Sequence, residues 1–166
     1  WIELGLQTIH PHTADYIRRG YPLSVYDTAV CELHERGIEV ITHVILGLPG
    51  ETTDDMQATA DYIAHQPIQG VKFQMIGVTS SMRGTDLYTD YLGQSFHTLT
   101  LDEYTDILIR CIELMPPEMV IHRITGDGPK NILAAPDWSR NKKQVLNHIH
   151  HCMKIRNTWQ GRCYLQ

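Results

Sequence analysis

Two patterns of hydrophobic residues alternate along the chain, one typical of strands and one typical of helices. Dense apolar and β-branched runs predict strands, and apolar residues at three- or four-residue spacing predict helices. The predicted strands span residues 1–7, 38–46, 70–78 and 119–124. The predicted helices span residues 13–19, 24–37, 54–65, 86–91, 100–115 and 139–156. Strands that alternate with helices in this way indicate βαβ units and a parallel sheet.

Capping patterns mark two of the predicted helix starts. Thr100 and Glu103 form a capping box, and Ser24 with Asp27 forms a similar pattern. Gly37 follows the last apolar position of the helix that Ser24 opens, and glycine commonly ends helices. We therefore expect helices to begin next to Ser24 and next to Thr100.

The carboxyl ends of the predicted strands carry the more unusual residues. In parallel sheets, ligands bind at this end of the strands, in open sheets and in barrels alike. The rule selects residues 7–8, the loop that begins at Gly47, residues 77–79 and residues 123–127. We expect the functional site along this edge of the sheet.

Composition narrows the class of protein. The chain has 166 residues, 42% of them apolar and 20% charged, which fits one globular domain spanning residues 1–166. The net charge of −5 makes nucleic acid an unfavourable main partner, and no apolar run is long enough to span a membrane. No targeting segment is visible, so we expect a cytoplasmic protein. The chain opens on Trp1 rather than Met, and we expect it to be a piece of a longer protein.

Several candidate residues each allow a structural and a functional interpretation. The Gly-Leu-Pro-Gly-Glu-Thr loop from Gly47 brings backbone close to a ligand, or is an ordinary strand-to-helix turn. Gln7 ends a strand as a polar contact or as a solvated side chain. His43 lies in an apolar strand as a core histidine, a ligand or a general base. Arg123 and Asp127 pair with each other or hold a polar substrate.

The cysteines do not form a metal motif. The four cysteines (Cys31, Cys111, Cys152 and Cys163) lie at least 11 residues apart, which excludes a compact zinc or iron–sulfur motif. His148 and Cys152 share a helical face, but two ligands do not make a metal site. No P-loop, dinucleotide fingerprint or hydrolase nucleophile motif is present either.

Several motifs become specific in combination. The segments ELGLQT, RRGY and HVILGLPGET, in this order and spacing, resemble the middle of a radical S-adenosylmethionine (radical SAM) enzyme, close to oxygen-independent coproporphyrinogen oxidase and the Elongator catalytic subunit. The later segments VIHRITGD and LAAPDWS are similar to the YhcC-like branch of that superfamily. The resemblance covers essentially the whole chain and implies the carboxyl-terminal half of a partial TIM-type (β/α) barrel.

The resemblance also implies cofactors and site residues. Enzymes of this family use a [4Fe–4S] cluster and S-adenosylmethionine (SAM) to generate a 5′-deoxyadenosyl radical. Gln7 and Arg19 would contact the ribose and the methionyl carboxylate, and Ile45 would face the adenine. His43 stands where coproporphyrinogen oxidases carry Asp. The matching SAM-binding positions are Gln7, Arg19, His43, Ile45, Gly47, Gly77 and Val78, and the substrate-side candidates are Arg123, Asp127 and Trp138.

The family's CxxxCxxC cluster loop is absent from the chain. We therefore expect the chain by itself to bind no cluster and to be inactive, its natural partner being the missing amino-terminal half, and its substrate stays open. An uncovered strand at residues 1–7 would favour an edge-to-edge dimer. The alternative is a non-catalytic α/β module that docks a small ligand or a partner protein at the Gly47 loop.

Overall fold

A computed structural model describes residues 1–126 and 131–165 of the chain. The strands are β1 (Ile2–Gln7), β2 (Val40–Leu46), β3 (Gly70–Met75), β4 (Val78–Thr79), β5 (Val120–Arg123) and β6 (Leu133–Ala135). The helices are α1 (Pro11–Tyr16), α2 (Leu23–Glu35), α3 (Thr53–Ala64), α4 (Asp86–Leu92), α5 (Leu101–Leu114) and α6 (Lys142–Ile155), with short 3₁₀ turns at Ser80–Met82 and Asp137–Arg140.

Four strands form a parallel sheet in the order β1-β2-β3-β5. The predicted α/β fold with a parallel sheet is therefore confirmed. Helices α2, α3 and α5 pack on one face, where Leu6, Val44 and Phe73 join a single buried cluster. We call this the helix-covered face. The opposite face carries Glu3, His43 and Lys72, which alternate with those apolar residues along the strands, and we call it the open face.

The third predicted strand, residues 70–78, is longer than the observed strand β3. The structure ends β3 at Met75, and residues 78–79 pair antiparallel with β6 in a separate two-stranded sheet. Met75 pairs with Leu46, the last residue of β2, so the parallel ladder has no partner beyond it. Strand β6 was not predicted, because three residues are too few to show an alternating pattern.

The helix-start predictions had mixed outcomes. The Thr100–Glu103 capping box is present, and a second box, Thr52 with Asp55, was not predicted. The Ser24 cap is wrong, because α2 begins directly after the extended residue Pro22 and Ser24 already lies in its first turn. The last helix begins at Lys142 rather than Ser139, which lies in a 3₁₀ turn.

Candidate functional site

A cavity of about 510 Å³ opens at the carboxyl end of β1 and β2, the edge that the sequence rule selected. Its walls come from the open-face side of both strands, from α1 and the turn after it, and from the segment that runs from the 3₁₀ turn after β4 into α4. The lining residues are Gly5, Gln7, Tyr16, Ile17, Arg18, Arg19, Tyr21, Ile45, Leu48, Ile76, Met82, Thr85, Asp86 and Leu87. Three predicted cofactor residues, Gln7, Arg19 and Ile45, thus meet in one space.

Gln7 stands at a break in the strand. It has a φ of 62°, in the left-handed region, and the pairing of β1 with β2 shifts register between Gly5 and Gln7. A bulge of this kind redirects a side chain at the end of a strand. Gly5 leaves room for it, because a Cβ there would stand 2.5 Å from the Gln7 side-chain amide. The local backbone therefore directs the Gln7 amide to the cavity.

Arg19 is held mainly by backbone carbonyls. Its Nη1 donates to the carbonyls of Leu6 (3.1 Å) and Thr8 (2.7 Å), and its Nε donates to that of Tyr21 (3.0 Å). The guanidinium also lies 5.0 Å from the centre of the Tyr21 ring. Nη2 makes no hydrogen bond within the described part of the chain. Arg19 therefore fastens the end of β1 and offers one remaining edge to a ligand.

The other walls of the cavity are mostly apolar. Ile45 and Leu48 come from β2 and the loop after it, and Met82 and Leu87 come from the segment opposite. That segment is tied to α1 and its following turn by two contacts, from the Tyr16 hydroxyl to Asp90 (2.5 Å) and from Arg18 to Asp86. The result is an apolar slot with polar groups at one end, a common form of small-molecule site.

His43 lies outside this cavity. Its Nε2 is 2.7 Å from Oε2 of Glu3, and the other Glu3 oxygen is 2.6 Å from Lys72 Nζ. The three side chains come from β1, β2 and β3 and meet on the open face. Lys72 and then His43, by hydrogen bonding, lower the pKa of Glu3 from 4.5 to about 2. In this structure His43 is part of an ion-pair cluster and does not line the cavity of Gln7.

Three further predicted cofactor positions also lie outside the cavity lining. Gly47 is buried with a φ of 82°, its amide donates to the Met56 sulfur (3.0 Å), and a Cβ there would stand 2.9 Å from Leu99. The turn thus needs glycine because the interior packs against it. Gly77 follows the end of β3, and Val78 is buried in the small sheet that β4 forms with β6.

The substrate-side candidates are separated. Arg123 lines a different cleft of about 490 Å³ between β5 and α6, beside Lys142 and His150. Trp138 donates its indole N–H to the Leu99 carbonyl (2.9 Å) and stacks near the Tyr104 ring, with 5.4 Å between centroids. Asp127 lies outside the described residues. Sequence order alone could not separate Arg123 from Trp138, because the cleft beside α6 and the indole bond to Leu99 are both formed by tertiary contacts.

Sequence analysis selected residues 7–8 and the loop that begins at Gly47, but it assigned no role to the two polar residues there that support the cavity. Thr8 is fully buried, and its hydroxyl donates to Glu51 (2.5 Å), which follows the Gly-Leu-Pro-Gly turn after β2. Burial raises the pKa of the Glu51 carboxyl above its ordinary value. The available signal was an acidic residue directly between a glycine turn and a helix cap, a place where chains more often expose their charge.

The four cysteines do not fit a shared iron–sulfur cluster. Cys31 lies on α2, Cys111 is buried in α5, Cys152 lies on α6 and Cys163 lies near the carboxyl end. Within residues 1–126 and 131–165, no three His, Cys, Asp or Glu side chains group closely enough to hold a metal ion. His148 makes two pairwise contacts through its Nε2, one to the Cys152 sulfur (3.6 Å) and one to Asp102 (3.0 Å). No step of the chemistry is therefore assigned to these thiols.

The cavity, by contrast, has the volume of a small-molecule site, and its lining has groups that suit an adenosyl ligand. Small-molecule sites typically enclose about 300–1,000 Å³, and this cavity has about 510 Å³. Ile45 and Leu48 present apolar surface for a purine, while the Gln7 amide and the Arg19 edge can bond hydroxyls or a carboxylate.

The described part of the chain has no helix both long and apolar enough to cross a membrane.

Comparison with known proteins identifies the class. The model of the radical SAM superfamily matches residues 1–63, and that of the Radical_SAM C-terminal domain matches residues 68–155. The chain therefore belongs to the radical SAM superfamily, as the motifs predicted.

The relatives agree with the branch that the later segments suggested. YtqA of Bacillus subtilis is 38% identical over 164 residues, covering 99% of this chain and 50% of that protein. YhcC of Escherichia coli is 30% identical, covering 86% and 45%. A structure of Methanocaldococcus infernus Elp3 with an amino-terminal deletion has the same fold, with a TM-score of 0.81 at 20% identity over 95% of this chain and 36% of that one. The chain spans about half the length of the curated relatives it matches.

Proposed function

We propose that this chain is the SAM-binding part of a longer radical SAM enzyme whose cluster cysteines lie outside the printed sequence. SAM, bound to a reduced cluster, supplies such an enzyme with a group that abstracts hydrogen from the substrate. The remaining barrel strands would continue the sheet beside β1, which pairs only with β2 among the described strands. The substrate is left open by this proposal.

The observation that carries the proposal is the meeting of Gln7, Arg19 and Ile45 in one cavity. They come from β1, from the turn after α1 and from β2, and the family resemblance assigned each of them to the cofactor independently of the structure. Their chemistry is complementary to SAM, since it offers an amide, one edge of a guanidinium and an apolar side chain. His43, Gly47, Gly77 and Val78 have supporting positions around that cavity in the proposal.

The test uses the longer protein, produced and reconstituted without oxygen. We expect it to release 5′-deoxyadenosine from SAM, and we expect Gln7→Ala and Ile45→Asp to weaken SAM binding by about tenfold or more, the loss of one buried polar or apolar contact. Exposed Ile155→Ala on α6 is the matched control and should bind normally. Normal SAM affinity in both cavity variants would contradict the proposal.

The isolated chain provides a second test of the same idea. With no CxxxCxxC motif in its 166 residues, it should take up no [4Fe–4S] cluster on anaerobic reconstitution. Iron and sulfide analysis together with the visible absorption spectrum measure this directly. Close to four irons per chain would show that the chain assembles its cluster without outside ligands.

A further inference from the structure

We infer that Glu51 and Thr8 are positioning residues of the cavity, which lock the end of β1 to the loop after β2. This inference rests on the proposed function, because it assigns to the pair the task of holding the SAM-binding groups in place. Neither residue lines the cavity itself, so their effect on a ligand would pass through Gln7, Arg19 and Leu48.

Thr8 connects the two sides of the cavity. Its hydroxyl donates to the Glu51 carboxylate (2.5 Å), and its carbonyl accepts the Arg19 Nη1 bond (2.7 Å). Its amide donates to the Leu6 carbonyl (2.8 Å), which closes the tight turn around Gln7. Because Thr8 is fully buried, these bonds have no water to replace them. A single residue thus joins Arg19 to the loop after β2.

Glu51 is fixed mainly by the bond from Thr8. The nearby Thr13 on α1 also lowers the pKa of its carboxyl. The turn it contacts is also fastened to α3, where the His10 ring contacts the Asp55 carbonyl oxygen (2.9 Å). The amide of His10 donates to the Thr8 hydroxyl oxygen (3.1 Å). Glu51 therefore joins the turn after β1 to the loop that begins at Gly47, and His10 joins the same turn to α3.

The position of Glu51 is unfavourable for a carboxylate. Desolvation raises its pKa more than Thr8 and Thr13 lower it. The charged groups that face it are His10, which favours the ionised form, and Asp55, which opposes it. Ionised Glu51 thus lowers fold stability at neutral pH, and buried groups with shifted pKa values are enriched at functional sites.

This conflict separates a positioning role from a structural one. Glu51→Gln removes a partly buried, desolvated charge, so its melting temperature at pH 7 should equal or exceed that of the wild type. The same variant weakens the bond from Thr8, so its SAM affinity should fall about tenfold. A residue that merely supported the fold would lower both quantities together.

The experiment measures SAM affinity and melting temperature in the longer protein for Glu51→Gln and Thr8→Val. The chain offers a matched control pair, since the Thr158 hydroxyl donates in the same way to Glu113, far from the cavity. We expect Glu113→Gln and Thr158→Val to keep wild-type SAM affinity. Wild-type affinity should fall as the pH drops through the raised pKa of Glu51, and Glu51→Gln should lose this pH step.

Three outcomes would overturn the inference. They are SAM affinity within twofold of wild type in both cavity variants, an equal loss in the control pair, or an affinity loss that only follows a fall in melting temperature. Absence of SAM binding in the wild type would instead refute the proposed function. In that case, hydrogen exchange at Gln7 and Leu48 tests the positioning role of Glu51 and Thr8 by itself. Exchange should accelerate in Glu51→Gln and Thr8→Val but not in the control pair.

Discussion

The two faces of the parallel sheet are built from the same strands but follow different rules. On the helix-covered face, Leu6, Val44 and Phe73 are all essentially inaccessible to solvent and belong to one apolar cluster. On the open face, Glu3, His43 and Lys72 meet as an ion-pair cluster between the same three strands. The first face stabilises the fold, and the second carries charge and leads to the cavity.

The contrast shows where selection on function can act in such a sheet. Burial of apolar area is the main source of stability, so the helix-covered face tolerates little change. The open face contributes less burial, which leaves Gly5 and Gln7 free to serve the cavity at the strand end. Substitutions on the two faces should therefore affect different measurements, stability on one and ligand binding on the other.

The largest expected effect is on the helix-covered face. Phe73→Ala removes a fully buried ring from the centre of the cluster and should lower the free energy of unfolding by about 3–5 kcal/mol. Denaturant unfolding measures it. Leu92→Ala, at a side chain that is 65% exposed, is the control and should change stability by less than about 0.5 kcal/mol. A small effect at Phe73 would mean that the cluster is not the main stabilising core.

Arg19 should give the next largest effect and should change both measurements. Arg19→Ala leaves the carbonyls of Leu6, Thr8 and Tyr21 without their charged donor, which should reduce the free energy of unfolding by about 2–3 kcal/mol. It should also weaken SAM binding. Arg36→Ala is the matched control, because its exposed helical pair with Glu32 adds little and lies outside the cavity lining. Equal losses in both variants would contradict the assignment.

The helix-covered face could be predicted from the sequence, and the reasons are physical. Apolar alternation and capping residues are local signals, so the β2 run and the Thr100–Glu103 box gave their elements correctly. The predicted end of β3 is wrong because it depends on where its partner strand β2 ends. The predicted start of α2 is wrong because it depends on the extended backbone of Pro22. Element types follow from local sequence, and their ends follow from tertiary contacts.

The open face could be predicted only in part. The family resemblance implied cofactor roles for Gln7, Arg19 and Ile45, which the structure brings together in one cavity. The resemblance also selected His43, which lies two residues before Ile45 on the same face of β2. At that position, further from the cavity, the His43 ring contacts Glu3. Glu3 was read as a polar position of the first strand, but its pairing with His43 was not predicted, because the two residues are distant in sequence. Polar pairing across strands leaves no local signal.

A smaller effect is expected from the ion-pair cluster. Lys72 and His43 hold the pKa of Glu3 at about 2, below its ordinary 4.5. A lowered acid pKa contributes stability above the unfolded pKa and loses it as the pH falls toward the folded one. Wild type should therefore melt above Glu3→Gln at pH 7, and the difference should vanish between pH 4.5 and about 2. Glu32→Gln, in an exposed helical pair, should show no comparable change. A difference that persists at the lowest pH would show that packing, not charge, explains it.

The smallest change in stability should come from Gly5→Ala, and it tests the open face most specifically. The new Cβ would stand 2.5 Å from the Gln7 amide, which is the flexible end of a side chain and can move aside. The free energy of unfolding should therefore change by less than about 1 kcal/mol, while SAM affinity falls several-fold because Gln7 no longer points into the cavity. Gly70→Ala is the matched control, since its Cβ meets the His122 ring at 2.6 Å on the same face, away from the cavity lining. If both variants bind SAM equally well, the orientation of Gln7 does not determine binding, and Gln7 is not part of the ligand-binding function that the open face serves.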